Sequence, residues 1–174
     1  AIYIKNLPKE YGNNITVTGH SKGGNKAQYV TIVTDRIGRC VSCDGQGFSK
    51  EFLEFYSARI EERKSIITSI SAEHDFVNSL LFPIAGDIKY IKADFDKKFG
   101  LNHCPNKVFN SNGELNEEVE QPAFLSRLIS YLTKYSSATV SDSTLNAILE
   151  IISECVVVPT FLSESNKLCS LYIN

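Results

Sequence analysis

The stretch with the clearest chemical potential is Gly19-His20-Ser21-Lys22-Gly23-Gly24. It matches G-x-S-x-G, in which a nucleophilic serine occupies a tight turn between a strand and a helix. Glycines two positions either side of Ser21 read as a steric requirement, because side chains there would collide with the strained turn. Such a turn lifts the serine hydroxyl above the strand ends. It also points the Lys22 backbone N–H, at the positive end of a helix, toward a developing oxyanion. The competing reading is a glycine-rich turn that holds a phosphate. Neither phosphate pattern, G-x-x-x-x-G-K-S/T or G-x-G-x-x-G, is present.

A nucleophilic serine needs a base and an orienting acid, in the chain order serine, acid, histidine. His103 is the histidine that lies downstream in a loop after a later strand. His20 is inside the turn itself, and His74 adjoins Asp75 after an earlier strand. Two acids stay open. Asp75 and Asp44 each follow a predicted strand, and parallel strands bring their C-terminal ends to one edge, beside Ser21. Asp75 is followed by Phe76-Val77, which can bury one side of it against His103. Asp44 sits in Cys43-Asp44-Gly45-Gln46-Gly47-Phe48, where ordinary turn chemistry also accounts for an aspartate.

These residues must be positioned by elements that the sequence pattern supplies. Strands are predicted at residues 15–18, 39–43, 66–70 and 89–93. Helices are predicted at 22–33, at 50–64 with Ser49 as cap, and as a short turn at 76–81. A loop covers residues 100–113 and an acidic stretch 114–120. Helices follow at 122–135, with Pro122 in the first position, and at 143–156, before a weak tail at 161–173. Strand and helix alternate through the first 93 residues, which argues for an α/β fold with a parallel sheet and crossover helices. We read one domain over residues 1–174, with a helical C-terminal part over 118–174.

The chain has 174 residues, 43% hydrophobic and 22% charged, with a net charge of −2. That composition excludes disorder and gives no global electrostatic case for nucleic acid or an anionic membrane surface. No apolar run approaches the roughly 20 residues of a membrane helix. Five cysteines, at 40, 43, 104, 155 and 169, read as free thiols in a reducing, cytoplasmic setting. Cys40 and Cys43 fall three apart on a strand, so they point to opposite faces and do not form a metal pair. No metal or cofactor is expected. The run Glu61-Glu62-Arg63-Lys64 reads as a solvated helix end, and Phe52, Phe55, Phe76 and Phe82 as core.

Taken together, Ile15-Thr16-Val17-Thr18-Gly19-His20-Ser21-Lys22-Gly23-Gly24-Asn25 resembles the nucleophile elbow of a lipase-like family of bacterial α/β-hydrolases. Three further segments match in order: Cys43-Asp44-Gly45-Gln46-Gly47-Phe48, Glu73-His74-Asp75-Phe76-Val77-Asn78-Ser79-Leu80-Leu81, and Asn102-His103. The family is similar to fungal-type triacylglycerol lipases. The resemblance covers about residues 12–110. It implies an α/β-hydrolase sheet, Ser21 as nucleophile, His103 as base, Asp75 as acid and an ester or lipid-like acyl substrate. The expectation is a serine hydrolase whose Ser21 hydroxyl lies within reach of a His103 ring nitrogen. The alternatives are an acyltransferase or thioesterase, or a non-catalytic relative that binds a lipid or a protein.

The chain departs from that family at its start. Several strands precede the elbow in such proteins, and a loop among them carries the second oxyanion donor. Only 14 residues precede Ile15 here, and the sequence contains no Met. The expectation is that the N-terminal strands and that donor lie in a segment outside these 174 residues. That segment, or a second copy in a homo-oligomer, would cover the open edge of the first strand. Within the chain, the backbone at residues 45–47 is the first place to look for the donor.

Overall fold

A computed structural model of the chain describes residues 1–139. The helix expected at 143–156, the tail at 161–173, Cys155 and Cys169 lie outside the described residues. Five strands form one sheet in the order β1 (Ile15–His20), β2 (Ile37–Cys43), β3 (Ile67–Ala72), β4 (Asp87–Ile91) and β5 (Glu118–Val119). The first four pair in parallel, but β5 runs antiparallel to β4, with Tyr90 opposite Val119 and Ile91 opposite Glu118. The sheet is therefore mixed rather than parallel, and residues 118–119 are strand rather than part of a helical segment. A two-residue strand carries too little period-2 pattern to be seen in sequence.

The register explains the core. Val17, Cys40 and Ile67 stand side by side on one face. There they meet Ala27 and Ile32 of α2 (Lys22–Val33), with Phe48, Ile84 and the half-buried Phe52. Removing this apolar surface from water, at about 25 cal/mol per Å², holds α2 onto the sheet. Cys40 is buried in this cluster and Cys43 is half-buried. On the other face a smaller cluster joins Ala72, Ile91, Ala93 and Val108, with Ile70 packed against it.

The helix expected at 50–64 is interrupted. Ser49 caps α3 (Lys50–Phe55) by accepting the Phe52 N–H, then Tyr56 leaves helical geometry at φ −103° and ψ 17° before α4 (Ser57–Arg63). Phe55 faces solvent rather than the core, at 80% exposure. Arg63 is not a solvated end either. Its guanidinium donates to the carbonyls of Thr31 and Ile37, fastening α4 to the α2–β2 connection. No helix forms at 76–81, because the Asp75 carboxylate accepts the N–H groups of Val77 and Asn78 and winds the segment into turns. The last helix among the described residues, α5, spans Phe124–Thr139, so Pro122 precedes it instead of opening it. No helix among the described residues is long and apolar enough to cross a membrane.

Candidate active site

The C-terminal ends of the parallel strands are stitched to one another by one further hydrogen bond each. Ser21 N–H donates to Cys43 O at 2.9 Å, Asp44 N–H to Ile70 O at 2.8 Å, and Glu73 N–H to Ile91 O at 3.0 Å. Ser21, Asp44 and the Asp75 turn therefore lie along one edge, as parallel strands require. Within two residues of β1, the chain reverses into α2 through Ser21, at φ 57° and ψ −126°. A non-glycine residue there is strained by about 1–3 kcal/mol, a strain that clusters at functional sites.

The glycines around Ser21 do different jobs from those the pattern suggested. A Cβ on Gly19 would lie 2.4 Å from the Gly23 carbonyl group, so Gly19 is required. A Cβ on Gly23 would meet nothing within 4 Å. The crowded position is Gly24, where a Cβ would lie 2.7 Å from Ser42 Oγ and 3.0 Å from both Gly19 O and the Gly45 Cα. The third glycine lets α2 settle onto the ends of β1 and β2.

His103 ends a 3-10 turn, Phe99–His103, in the connection that follows β4. Its Nδ1–H donates to Asp75 Oδ1 at 3.0 Å. Asp75 is fully buried, and its two oxygens also accept Val77 N–H at 3.0 Å and Asn78 N–H at 3.2 Å. The other ring nitrogen, Nε2, is buried and without a hydrogen-bond partner among the described residues, so the Ser21 hydroxyl is not bonded to it. His20, next to Ser21, packs its ring on the His103 ring at 4.6 Å between centroids. It also donates its Nε2–H to the His103 carbonyl at 3.1 Å. The structure thus joins Asp75 to His103 and brings His103 beside the elbow through His20, a contact the sequence pattern does not disclose.

Asp44 is buried as deeply as Asp75 but does not bond His103. Its Oδ1 accepts Ala72 N–H at 2.7 Å and the Asn78 side-chain amide at 2.9 Å. Burial pushes the Asp44 carboxyl up, the charge of Asp75 adds to that, and it titrates at about 7. Burial lowers the His103 imidazole, but the hydrogen bond and charge of Asp75, with the charge of Asp44, outweigh it and leave His103 above its ordinary value. Burial and the neighbouring His103 lower His20. His74 stands apart, edge-on to Phe95 and 3.9 Å from Glu73.

Lys22 is the first residue of α2, so its N–H lies at the helix N-terminus. In the turn at 45–47, one of the three backbone N–H groups is already engaged. Gly47 N–H is spent on Leu80 O, and the carbonyls of Gln46 and Gly47 are held by the Asn25 amide. A cavity of about 380 Å³ lies between the sheet and α5, lined in part by Ser69, Ser71, Asn78 and Tyr131. Ser21, Asp75 and His103 do not line it.

A family model described as Mbeg1-like matches residues 1–95. The chain belongs to the Mbeg1-like family. It is a lipase-like family. The match takes in Ser21, Asp44 and Asp75 and stops short of His103. Among solved structures, this Mbeg1-like chain is similar to the crystal structure of M37 lipase, with 14% sequence identity and a TM-score of 0.33. The similarity covers 78% of this chain and 37% of the lipase, so the chain spans little more than a third of that protein. No curated protein matches the chain.

Proposed function

We propose that the chain is a serine hydrolase acting on a carboxylic ester or lipid-like acyl substrate. Ser21 is its nucleophile, His103 its base and Asp75 the acid that orients the imidazole. The observation that carries this reading is the His103 ring. One nitrogen is held by a buried carboxylate, the other is buried and unpartnered, and the ring lies against the residue next to a strained serine. A buried ring nitrogen without a partner is costly, and a substrate-linked proton transfer gives it a use.

In the reaction, Ser21 Oγ attacks the ester carbonyl carbon as its proton passes to His103 Nε2. The negative charge on the carbonyl oxygen is met by the Lys22 N–H at the start of α2. The proton on Nε2 then goes to the departing alkoxide, leaving an acyl-Ser21. Water then attacks the acyl carbon, giving its proton to the same nitrogen, and that proton passes to Ser21 Oγ as the acid leaves. Asp75 keeps Nδ1 protonated, so Nε2 is the basic nitrogen throughout. The Ser21–His103 contact must close when substrate binds, which is common where catalytic hydrogen bonds are long without substrate.

A fluorophosphonate probe tests this. Labelling at Ser21, lost in Ser21→Ala and slowed in His103→Gln, supports the reading. A panel of p-nitrophenyl esters beside acyl-CoA then separates ester hydrolysis from thioester or acyl-transfer chemistry. A folded chain that neither labels nor turns over any ester overturns it in favour of a binding protein.

A further inference from the structure

We propose that Asp44 and Asn78 are positioning residues that clamp the turn at residues 72–78 and so aim the Asp75 carboxylate at His103. The inference rests on the triad reading above and adds to it two residues that touch neither serine nor imidazole.

The clamp is built from one asparagine. The Asn78 side-chain nitrogen has two protons to donate. One goes to Asp44 Oδ1 at 2.9 Å and the other to Ala72 O at 3.0 Å. Its side-chain oxygen accepts the Ser79 hydroxyl at 3.2 Å. With the amide held on both sides, its backbone N–H is delivered to Asp75 Oδ2 at 3.2 Å, leaving Oδ1 to Val77 N–H and the His103 Nδ1–H. Asp44 anchors the other end of the turn by taking Ala72 N–H at 2.7 Å. The two carboxylates are thus linked through one residue, and the position of the second follows from that of the first.

The cost of Asp44 argues that its carboxylate is wanted. The residue stands at φ 47°, where glycine would be unstrained. It is also 2% exposed, near the charge of Asp75, and burying like charges together is unfavourable. A tight turn alone would be made more cheaply by glycine. What glycine lacks is an acceptor for Ala72 and Asn78. The charged or titratable groups facing Asp44 are Asp75 and His103, with Cys43 beside it in the chain.

The test uses the whole chain and proton NMR, because a His103 Nδ1–H held by Asp75 resonates far downfield of an ordinary ring N–H. Asn78→Ala should abolish that resonance or move it upfield. It should also lower kcat on an ester about tenfold or more, with KM within about twofold. Asp44→Asn, whose amide oxygen can still accept from Ala72 and Asn78, should retain the resonance. In the unaltered protein the Asn78 side-chain protons should exchange with solvent more slowly than those of the exposed Asn112, a readout that needs no variant. A folded Asn78→Ala protein with the resonance and kcat intact, or equal exchange at Asn78 and Asn112, overturns the clamp. An inactive protein with the expected resonance and exchange would sink the hydrolase reading and leave the clamp standing.

Discussion

Two neighbouring turns at the same edge of the sheet each bury an aspartate, and they do opposite things with it. After β3, Asp75 shares its oxygens between two backbone N–H groups and the His103 ring. After β2, Asp44 spends Oδ1 on the backbone of β3 and the amide of Asn78 and bonds no ring. Depth does not separate them, since both are almost wholly enclosed. What separates them is where each carboxylate is turned: Asp75 Oδ1 to the His103 ring, Asp44 Oδ1 to the Ala72 N–H and the Asn78 amide. His103 follows β4, the neighbour of β3, and its Nδ1–H meets Asp75 in the β3 turn, while its ring also lies against His20 at the end of β1. The lesson is that carboxylates of equal burial take their roles from the partners their turns present.

The largest expected effect breaks that comparison at Asp75. Asp75→Asn leaves the shape intact but favours the wrong imidazole tautomer, and kcat on an ester should fall by about 10⁴. Asp44→Asn should cost no more than about tenfold, because its acceptor atom is preserved. The reverse ranking in steady-state assays would move the orienting acid to Asp44.

A second contrast lies within the elbow. Gly24→Ala should destabilise the fold by about 1–3 kcal/mol, the usual cost of overpacking, since Ser42 Oγ and two backbone atoms occupy the space. Gly23→Ala meets nothing within 4 Å and sits inside α2, so it should stabilise by about 0.5–1 kcal/mol through helix propensity. Thermal or urea unfolding of both variants checks the pair. Equal losses would mean that the close approach is not confined to the third glycine.

The pH dependences sharpen the electrostatic half of the comparison. In the proposed base role His103 must be neutral at Nε2, and its pKa is raised, so kcat/KM should climb with pH through a midpoint above 6.5. Asp75→Asn should move that midpoint down, because the largest raising influence is gone. For stability the sign at Asp44 is the reverse of a usual carboxylate. Its pKa is raised from 3.8 to about 7, so the folded form holds the proton longer. Stability from this group is full below about 4 and is lost as pH rises to about 7. Subtracting the urea-unfolding profile of Asp44→Asn from that of the unaltered protein should expose this falling component. A difference that is flat in pH would show Asp44 to titrate normally.

The smallest effect concerns His20. His20→Gln can keep a donor to the His103 carbonyl and loses the stacked ring, while His20→Phe does the opposite. Each should lower kcat by about threefold to tenfold, as expected for a contact that orients a base without touching the substrate. A variant with full activity shows which of the two contacts is idle.

Much of the frame was legible in the sequence because it is written in local pattern. The helix over 22–33 and the strand-to-helix placement of Ser21 follow from a β-branched run, a glycine pair and an amphipathic repeat. Strand ends at 43 and 72 were readable to within two residues, with the turn residues just beyond them. The failures have physical causes. The apolar residues Phe52, Phe55, Tyr56 and Ile60 of the helix expected at 50–64 look like one stripe, but the helix is interrupted at Tyr56 and Phe55 faces solvent. Arg63 looks like a solvent-facing charge until two main-chain carbonyls are seen to hold it. Phe76 to Leu81 has helical spacing, and a single buried carboxylate overrides it.

By itself the sequence determined which residue types could do chemistry and the order in which the chain presents them. Ser21 at a glycine-rich turn, acids after two strands and a histidine in a later loop are local facts, set by propensity and spacing over a few residues. Only the tertiary structure decided that the third glycine rather than the second is crowded, and that Asp75 rather than Asp44 meets His103. It alone made Asn78 the link between the two carboxylates and set His20 against His103. Each of those depends on distances between residues that are far apart in the chain. Such distances arise from strand order, from the pairing of β2, β3 and β4, and from burial, which raises the cost of any polar atom left without a partner.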